Sequence, residues 1–199
     1  MQTRQVSPVD WLPFLLWAAY FTIPFFWFLV HPFAEFWRRR RGRTYTAYAV
    51  GIWLAFLAGF SASNSFWFAE RFERPWPVVL AGFALISLEV LVTRRAEGEL
   101  GAPILIGWAE RDPVQFPPRL VDSGIYRRVR HPRYLAAMGV LVGTALLTGA
   151  WRLLYMTAAG LPLYFLLARI EESELLKRIG EPYRDYCRRV PRFIPRLRL

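Results

Sequence analysis

The stretch WLPFLLWAAYFTIPFFWFLV (residues 11–30) contains twenty residues without a single charged side chain. As an α-helix, about 20 residues rise about 30 Å, which matches the hydrocarbon core of a lipid bilayer. Pro13 and Pro24 are tolerated in such a helix, the second as a kink. This stretch therefore predicts a membrane-crossing helix and favours an all-α integral membrane fold.

Four more apolar runs follow, at residues 45–69, 77–93, 134–150 and 153–168. The composition of the whole chain is consistent with these apolar runs, because 55% of its 199 residues are hydrophobic and 17% are aromatic. That composition is more apolar than an ordinary soluble domain of this size. We predict about five transmembrane helices. Only two residues separate the last two runs, so these should form an antiparallel C-terminal helical hairpin.

The basic residues, nearly all arginine, predict the orientation of the chain. Residues 38–43, 94–133 and 169–199 hold 22 of them, whereas the intervening links 70–76 and 151–152 hold three. Because basic links stay in the cytoplasm, we expect an extracytoplasmic N-terminus and a cytoplasmic C-terminus. The net charge of +11 therefore indicates membrane lipid, and not nucleic acid, as the partner.

The length predicts a single membrane domain, residues 1–199, with three parts. Residues 1–93 hold three spans, and residues 94–133 form a cytoplasmic loop. Residues 134–199 form the hairpin and a tail, which together complete the candidate functional site. A loop as long as 94–133 is usually functional.

Two segments carry candidate chemistry, residues 120–134 and residues 168–195. The first allows a plain interpretation, a basic interfacial loop followed by a helix that starts at Pro132. The second places three glutamates directly after the fifth apolar run, where carboxylates are costly unless they are solvated or paired. We expect that helix to continue to about Ile179 and to stop at Gly180.

The hairpin should then bring the start of the fourth run beside the end of the fifth. This predicts a charged cluster at the cytoplasmic mouth, with one set of side chains facing another: Arg130, His131 and Tyr134 facing Arg169, Glu171 and Glu172. Mixed charges of this kind can hold a zwitterion such as an amino acid group.

Two other glutamates receive separate interpretations. Glu174 is predicted to form an i,i+4 pair with Arg178 in water. Glu89 lies inside the third run, where ionisable groups are often functional. Since it is near the cytoplasmic end, the favoured interpretation is snorkelling to the membrane surface or an ion pair with Arg94 or Arg95.

The segments SGIYRRVRHPRY (123–134) and EESELLKRIGEPYRDYCRRVPRFIP (171–195) resemble the isoprenylcysteine carboxyl methyltransferase family and its prokaryotic relatives. Phospholipid methyltransferases share the pattern more loosely. The resemblance covers about residues 107–195, and Ile125 stands where many relatives have proline. It implies a membrane-embedded methyltransferase that uses S-adenosyl-L-methionine, with the cofactor held between helix ends. The absence of a G-x-G-x-x-G motif agrees with that implication.

The resemblance also implies functional residues. It places Arg169 on the substrate side. If the acceptor is an amine, Glu171 or Glu172 is the base that would deprotonate it, and Arg169 and Glu172 are the predicted catalytic residues. The implied cofactor-binding residues are Arg111, Pro118, Arg119, Leu120, Val121, Tyr126, Arg130, His131, Pro132, Arg133, Tyr134 and Glu171.

The acceptor is predicted to be a lipophilic small molecule or a lipidated substrate, such as the carboxylate of a prenylated cysteine or a phospholipid amine. A carboxylate is already ionised near neutral pH and needs no base. Two other functions stay open: an NADPH-dependent membrane reductase of the sterol type, and a non-enzymatic protein that binds anionic lipid. Two histidines and one cysteine predict no zinc site. The oligomeric state is left open.

Overall fold

The computed structural model describes residues 7–40, 42–105, 108, 112, 114–117 and 119–195. Across these residues the chain is helical without β-strands, apart from an isolated bridge between Arg71 and Ala150. The predicted all-α fold is confirmed. The helices are α1 (Pro8–Val30), α2 (Ala34–Arg38), α3 (Gly42–Ala62), α4 (Asn64–Trp67), α5 (Trp76–Leu100), α6 (Ala102–Leu105), a 3₁₀ turn (Gly124–Arg127), α7 (Pro132–Thr148), α8 (Trp151–Ile179) and α9 (Glu181–Arg189).

Four of these helices, α1, α3, α5 and α8, are long and apolar enough to cross a membrane. The predicted fourth span forms α7, which has 17 residues and is shorter than the other four. Its rise is about 26 Å. Four of the about five predicted spans are thus candidate membrane-crossing helices, and α7 is a shorter apolar helix. Helix α5 extends to Leu100, inside the segment that the sequence assigned to the loop.

Helix α7 lies at the centre of the fold, with α1, α5 and α8 packed against it. Its most extensive contact is with α5, where Gly82 faces Gly143. A Cβ atom added at Gly143 would lie 2.7 Å from the Gly82 carbonyl oxygen, so no larger residue fits there without a shift. Small residues let helix backbones approach closely in membranes, where packing drives association.

Helix α1 closes the other side of α7 with aromatic side chains. Trp17 is fully buried and stacks on Phe21, with ring centroids 4.8 Å apart. The Trp17 indole N–H also donates a hydrogen bond of 2.8 Å to Thr157 Oγ1 on α8. This bond satisfies a polar group in an apolar core and fixes α1 against the hairpin.

The C-terminal hairpin is confirmed. Gly149 ends α7 with a φ of 67°, a left-handed conformation that favours glycine, and α8 begins two residues later. Helix α8 continues beyond its apolar part to Ile179, and Gly180 stops it with a φ of 79°, as the sequence predicts. The start of α7 therefore lies beside the C-terminal part of α8.

Candidate functional site

A partly open cavity of about 160 Å³ lies where the start of α7 meets the C-terminal part of α8. The ends of α1 and α5 and the side of α9 complete its wall. Pockets that enclose a drug-sized ligand usually measure about 300–1,000 Å³, so this cavity would enclose only part of a nucleoside cofactor. Ten residues singled out from the sequence line it: Arg119, Leu120, Val121, Tyr126, Arg130, His131, Pro132, Arg133, Tyr134 and Glu171.

The other four sequence candidates are placed differently. Arg111 and Pro118 lie outside the described residues. Arg169 is exposed and is not part of the cavity wall, and Glu172 lies behind the wall. The structure therefore brings ten of the cofactor candidates together around the cavity, whereas the two residues assigned to catalysis are not part of its wall.

Glu172 is the centre of a buried ion-pair network. Its carboxylate accepts hydrogen bonds from Arg130 Nε at 2.8 Å, from His131 Nε2 at 2.9 Å and from Arg192 Nε at 3.0 Å. The residue is only 6% exposed. A carboxylate buried to this degree needs such partners, because an unpaired buried charge is strongly destabilising. This geometry gives Glu172 a structural role.

Arg130 ties the same network to the C-terminal tail. Its Nη1 donates to the carbonyl oxygens of Cys187 and Val190, both at 2.7 Å. Its backbone N–H donates to Pro191 O at 2.9 Å. Because Nε is bound to Glu172, this guanidinium is largely committed to protein partners, although it lines the cavity.

His131 stands between the two adjacent glutamates of α8. Its Nε2 contacts Glu172, and its Nδ1 lies 3.5 Å from Glu171 Oε2. Burial alone would lower the pKa of His131, but the carboxylates of Glu171 and Glu172 outweigh it and raise the pKa above its ordinary value. The ring stacks on Tyr134, with centroids 5.4 Å apart. His131 is thus favoured as an imidazolium that holds the cluster together.

Glu171 differs from Glu172, which directly follows it. Its Oε2 atom is buried and has no hydrogen-bond partner among the described residues. The described ion pairs of Glu171 include His131 but no arginine. Its side chain is 27% exposed and forms part of the cavity wall. A buried, underused carboxylate oxygen at a cavity is suited to bind a cationic group of a ligand.

The sequence interpretation missed the part of the wall that comes from α1. Trp27 and His31 line the cavity, and His31 Nδ1 lies 2.8 Å from Glu174 Oε2. The expectation that Glu174 sits in water is therefore wrong: its side chain is 15% exposed. Its predicted pair with Arg178 does form, at 3.6 Å. The available signal was that both histidines of the chain precede a proline, His31 as well as His131.

Four more wall residues come from the C-terminal part of α8 and from α9. They are Leu175, Ile179, Tyr183 and Tyr186. Both tyrosines are almost fully buried, and burial raises their pKa values well above the ordinary range. These side chains therefore stay neutral and form an apolar wall. In the sequence, the Gly-Glu-x-Tyr-x-x-Tyr pattern at residues 180–186 is the signal for these two tyrosines.

Glu89 is bound differently from the sequence expectation. Thr93 Oγ1 donates to Glu89 Oε1 at 2.7 Å, and Tyr20 on α1 lies close enough to this carboxylate to interact with it electrostatically. The ion pairs of the described residues include none between Glu89 and Arg94 or Arg95, so the expected ion pair is wrong. Glu89 instead links α5 to α1 inside the apolar layer.

Comparison with known proteins gives an independent result. A family model described as phospholipid methyltransferase matches residues 77–181, just over half of the chain. The chain is also 27% identical over 163 residues to the nickel-cobalt-cadmium resistance protein NccN of Alcaligenes xylosoxydans xylosoxydans. That alignment covers 77% of this chain and 68% of NccN. No solved structure matches the chain.

Proposed function

Because the chain belongs to the phospholipid methyltransferase family, we propose that it transfers a methyl group from S-adenosyl-L-methionine to a lipophilic acceptor at the membrane interface. Glu171 is the residue that carries the proposal. Its buried Oε2 atom lacks a hydrogen-bond partner among the described residues, and the cofactor carries an ammonium group that can donate to it.

The charges around the cavity suit the methionine end of this cofactor. Glu171 would accept a hydrogen bond from the ammonium group. Arg133 also lines the cavity and uses one N–H on the carbonyl oxygen of Leu105, at 3.0 Å. A guanidinium has five N–H donors, so Arg133 can also bind a carboxylate. We assign it this role in place of Arg130, which is committed to Glu172 and the tail.

When bound, the cofactor would supply an electrophilic methyl group on a sulfonium. The protein's own task is then to position donor and acceptor and to exclude water. The apolar wall formed by Leu175, Ile179 and the neutral Tyr183 supports exclusion of water. No base is needed if the acceptor is a carboxylate, since that group is ionised near neutral pH.

The acceptor follows from the membrane setting. A lipophilic molecule would enter from the bilayer between apolar helices, while the polar cofactor would enter from the basic face. The carboxylate of a prenylated cysteine and the amine of a phospholipid are the two acceptor classes proposed. The basic links support a cytoplasmic location for this face.

The test is methyl transfer by the purified protein with methyl-labelled S-adenosyl-L-methionine. One set of reactions contains phosphatidylethanolamine vesicles, and the other contains S-farnesyl-N-acetylcysteine in neutral lipid vesicles. We expect label in one lipid extract and inhibition by S-adenosylhomocysteine. Absence of S-adenosylhomocysteine binding by the folded protein would overturn the proposal, and binding of NADPH instead would favour the reductase.

A further inference from the structure

Helix α5 carries a carboxylate that the proposed function does not use. Within residues 76–93 Glu89 is the only charged side chain. Ionisable groups inside a membrane segment are rare, and they usually pair with one another or mark a functional site. The ion pairs of the described residues include none with Glu89, whose Oε1 accepts a hydrogen bond of 2.7 Å from Thr93 Oγ1. Its negative charge is therefore not matched by a cation in the part of the chain that the structure describes.

The packing of α5 against α7 places Glu89 at the level of the cavity. Gly82 faces Gly143, and a Cβ atom added at Gly139 would lie 3.6 Å from Leu85 Cδ2. The two helices are thus antiparallel, and each step along α5 corresponds to a step back toward the start of α7. Glu89 follows Leu85 by four residues, a rise of about 6 Å. It is therefore level with the first turns of α7, which begin beside the cavity.

Glu89 lies on the face of α5 that is directed toward the other helices. It continues the helical spacing of Gly82 and Leu85, the residues that contact α7. Its neighbours Leu88 and Leu91 are on the opposite face and are about half exposed, as lipid-facing residues should be. The carboxylate therefore lies between helices, although its residue is only partly buried.

Tyr20 connects Glu89 to the cavity from the side of α1. It lies close enough to both Glu89 and Arg133 to interact with them electrostatically, and Arg133 lines the cavity. Helices α1 and α5 both pack against α7, but they have no extensive contact with each other. Each nevertheless contributes to the cavity wall, through Trp27 and Leu100. The seam between α1 and α5 therefore leads from the lipid side toward the cavity, and Glu89 borders it.

We propose that Glu89 determines the acceptor specificity, because its carboxylate binds the cationic amine of a lipid at the seam between α1 and α5. This inference rests on the proposed function and narrows its acceptor to the amine class. An ammonium group would form a charge-assisted hydrogen bond with Glu89. A carboxylate acceptor would meet a like charge in an apolar setting, where repulsion is stronger than in water.

Three substitutions separate recognition of charge from a structural role. Glu89→Gln removes the charge but keeps an oxygen to which Thr93 can donate. Thr93→Val removes that hydroxyl and keeps the charge. Glu97→Gln is the matched control, since Glu97 is an exposed glutamate on the same helix. Thermal melts should show that Glu89→Gln is folded, and Glu89→Asp, which keeps the charge, should retain the acceptor preference of the wild-type protein.

The measurement is methyl transfer at saturating S-adenosyl-L-methionine, with the acceptor varied in neutral lipid vesicles. The acceptors are phosphatidylethanolamine, hexadecylamine and S-farnesyl-N-acetylcysteine. Glu89→Gln should raise the KM for the amine acceptors about tenfold and leave kcat within about threefold. The KM for the farnesylated carboxylate should not rise. Thr93→Val and Glu97→Gln should keep the KM for the amines within about twofold of the wild-type value.

The two amine acceptors identify the source of the recognised group. An equal rise in KM for both in Glu89→Gln assigns recognition to the amine alone. A rise for phosphatidylethanolamine alone assigns it to an amine within a phospholipid headgroup. A further measurement uses the wild-type protein. Hexadecyltrimethylammonium carries the charge but has no lone pair to accept a methyl group, and it should compete with the acceptor, whereas hexadecyl sulfate should not.

Three results would overturn the inference and leave the proposed function intact. They are an unchanged KM for the amines in Glu89→Gln, an equal rise in KM for the farnesylated carboxylate, and a wild-type protein that prefers that carboxylate to both amines. Stronger competition by hexadecyl sulfate than by hexadecyltrimethylammonium would contradict it as well. A folded wild-type protein that does not bind S-adenosylhomocysteine would instead overturn the proposed function.

Discussion

Two buried charged clusters lie at opposite ends of α7, and they differ in how completely their carboxylate oxygens are hydrogen-bonded. The closed cluster consists of Asp10, Arg71 and Arg74. Asp10 is 1% exposed, and each of its oxygens accepts from one arginine, at 2.6 and 2.8 Å. The same arginines also donate to the last carbonyl groups of α7.

The cavity cluster, at the start of α7, consists of five residues: Arg130, His131, Glu171, Glu172 and Arg192. Here Glu172 is saturated, whereas Glu171 keeps one buried oxygen without a hydrogen-bond partner among the described residues. A carboxylate with both oxygens bound stabilises the fold, because removing it leaves buried cationic partners uncompensated. A carboxylate oxygen without a hydrogen-bond partner beside a cavity can accept from a cationic ligand.

The largest effect is expected for Glu172→Gln. Removal of this carboxylate leaves Arg130, His131 and Arg192 facing each other, and should lower the free energy of unfolding by about 4 kcal/mol. Chemical denaturation in detergent micelles measures this change. Glu181→Gln is the matched control, because Glu181 pairs with Arg184 where both side chains are 60% exposed. A stable Glu172→Gln protein with lost methyl transfer would return Glu172 to a catalytic role.

The closed cluster should show a loss of stability without a loss of binding. Asp10→Asn removes the charge that Arg71 and Arg74 share, and should lower the free energy of unfolding by about 3 kcal/mol. The affinity of the folded protein for S-adenosylhomocysteine should stay unchanged. The control is Glu70→Gln, since Glu70 is 60% exposed where it meets Arg152. Weaker ligand binding by Asp10→Asn would contradict the division between the two clusters.

A third difference is the pH dependence of the cavity cluster. The pKa of His131 is raised in the folded protein, after the carboxylates of Glu171 and Glu172 overcome the opposing effect of burial. The protonated His131 ring contributes its full stabilisation below the pKa of about 6.5 that it has in the unfolded chain. This contribution is lost as the pH rises through the higher pKa that His131 has in the folded protein. Unfolding measured from about pH 6 to about pH 9 should show falling stability. His131→Gln should flatten this slope, with His31 present in both proteins. If stability falls equally steeply with pH in His131→Gln and in the wild-type protein, the protonated state of His131 is contradicted.

The smallest effect is expected for Arg169→Ala. Arg169 is exposed and does not line the cavity, so the affinity for S-adenosylhomocysteine should change by less than about twofold. Isothermal titration measures it. A loss of about tenfold would show that Arg169 reaches the cofactor after all. Its predicted role on the acceptor side is tested separately by methyl transfer at saturating cofactor.

The site could be predicted from the sequence where neighbouring elements fix it. The meeting of His131 with Glu171 and Glu172 follows from a short link between two helices and from the stop at Gly180. The short link and the glycine are local signals, and a histidine beside two glutamates is expected to form ion pairs. The same reasoning located α1, α3, α5 and α8 from apolar length alone.

The remaining contacts join residues that are far apart in the chain. His31 and Glu174 are separated by 143 positions, and Asp10 and Arg71 by 61. Such pairs depend on how α1 packs against α7 and α8, which periodicity does not determine. Glu172 was assigned to catalysis as the base that an amine acceptor would need. The burial of Glu172 by Arg130 and the tail became visible only in the structure.

The central claim is that Glu171 binds the ammonium of the cofactor. The most direct test is the affinity of Glu171→Gln for S-adenosylhomocysteine, with 5′-methylthioadenosine as the ligand that lacks the ammonium and Glu181→Gln as the control variant. A charge-assisted hydrogen bond contributes about 1.5–3 kcal/mol, so binding of S-adenosylhomocysteine should weaken about tenfold or more. Binding of 5′-methylthioadenosine should be unchanged. Equal affinity of Glu171→Gln and wild-type protein for S-adenosylhomocysteine would contradict the claim.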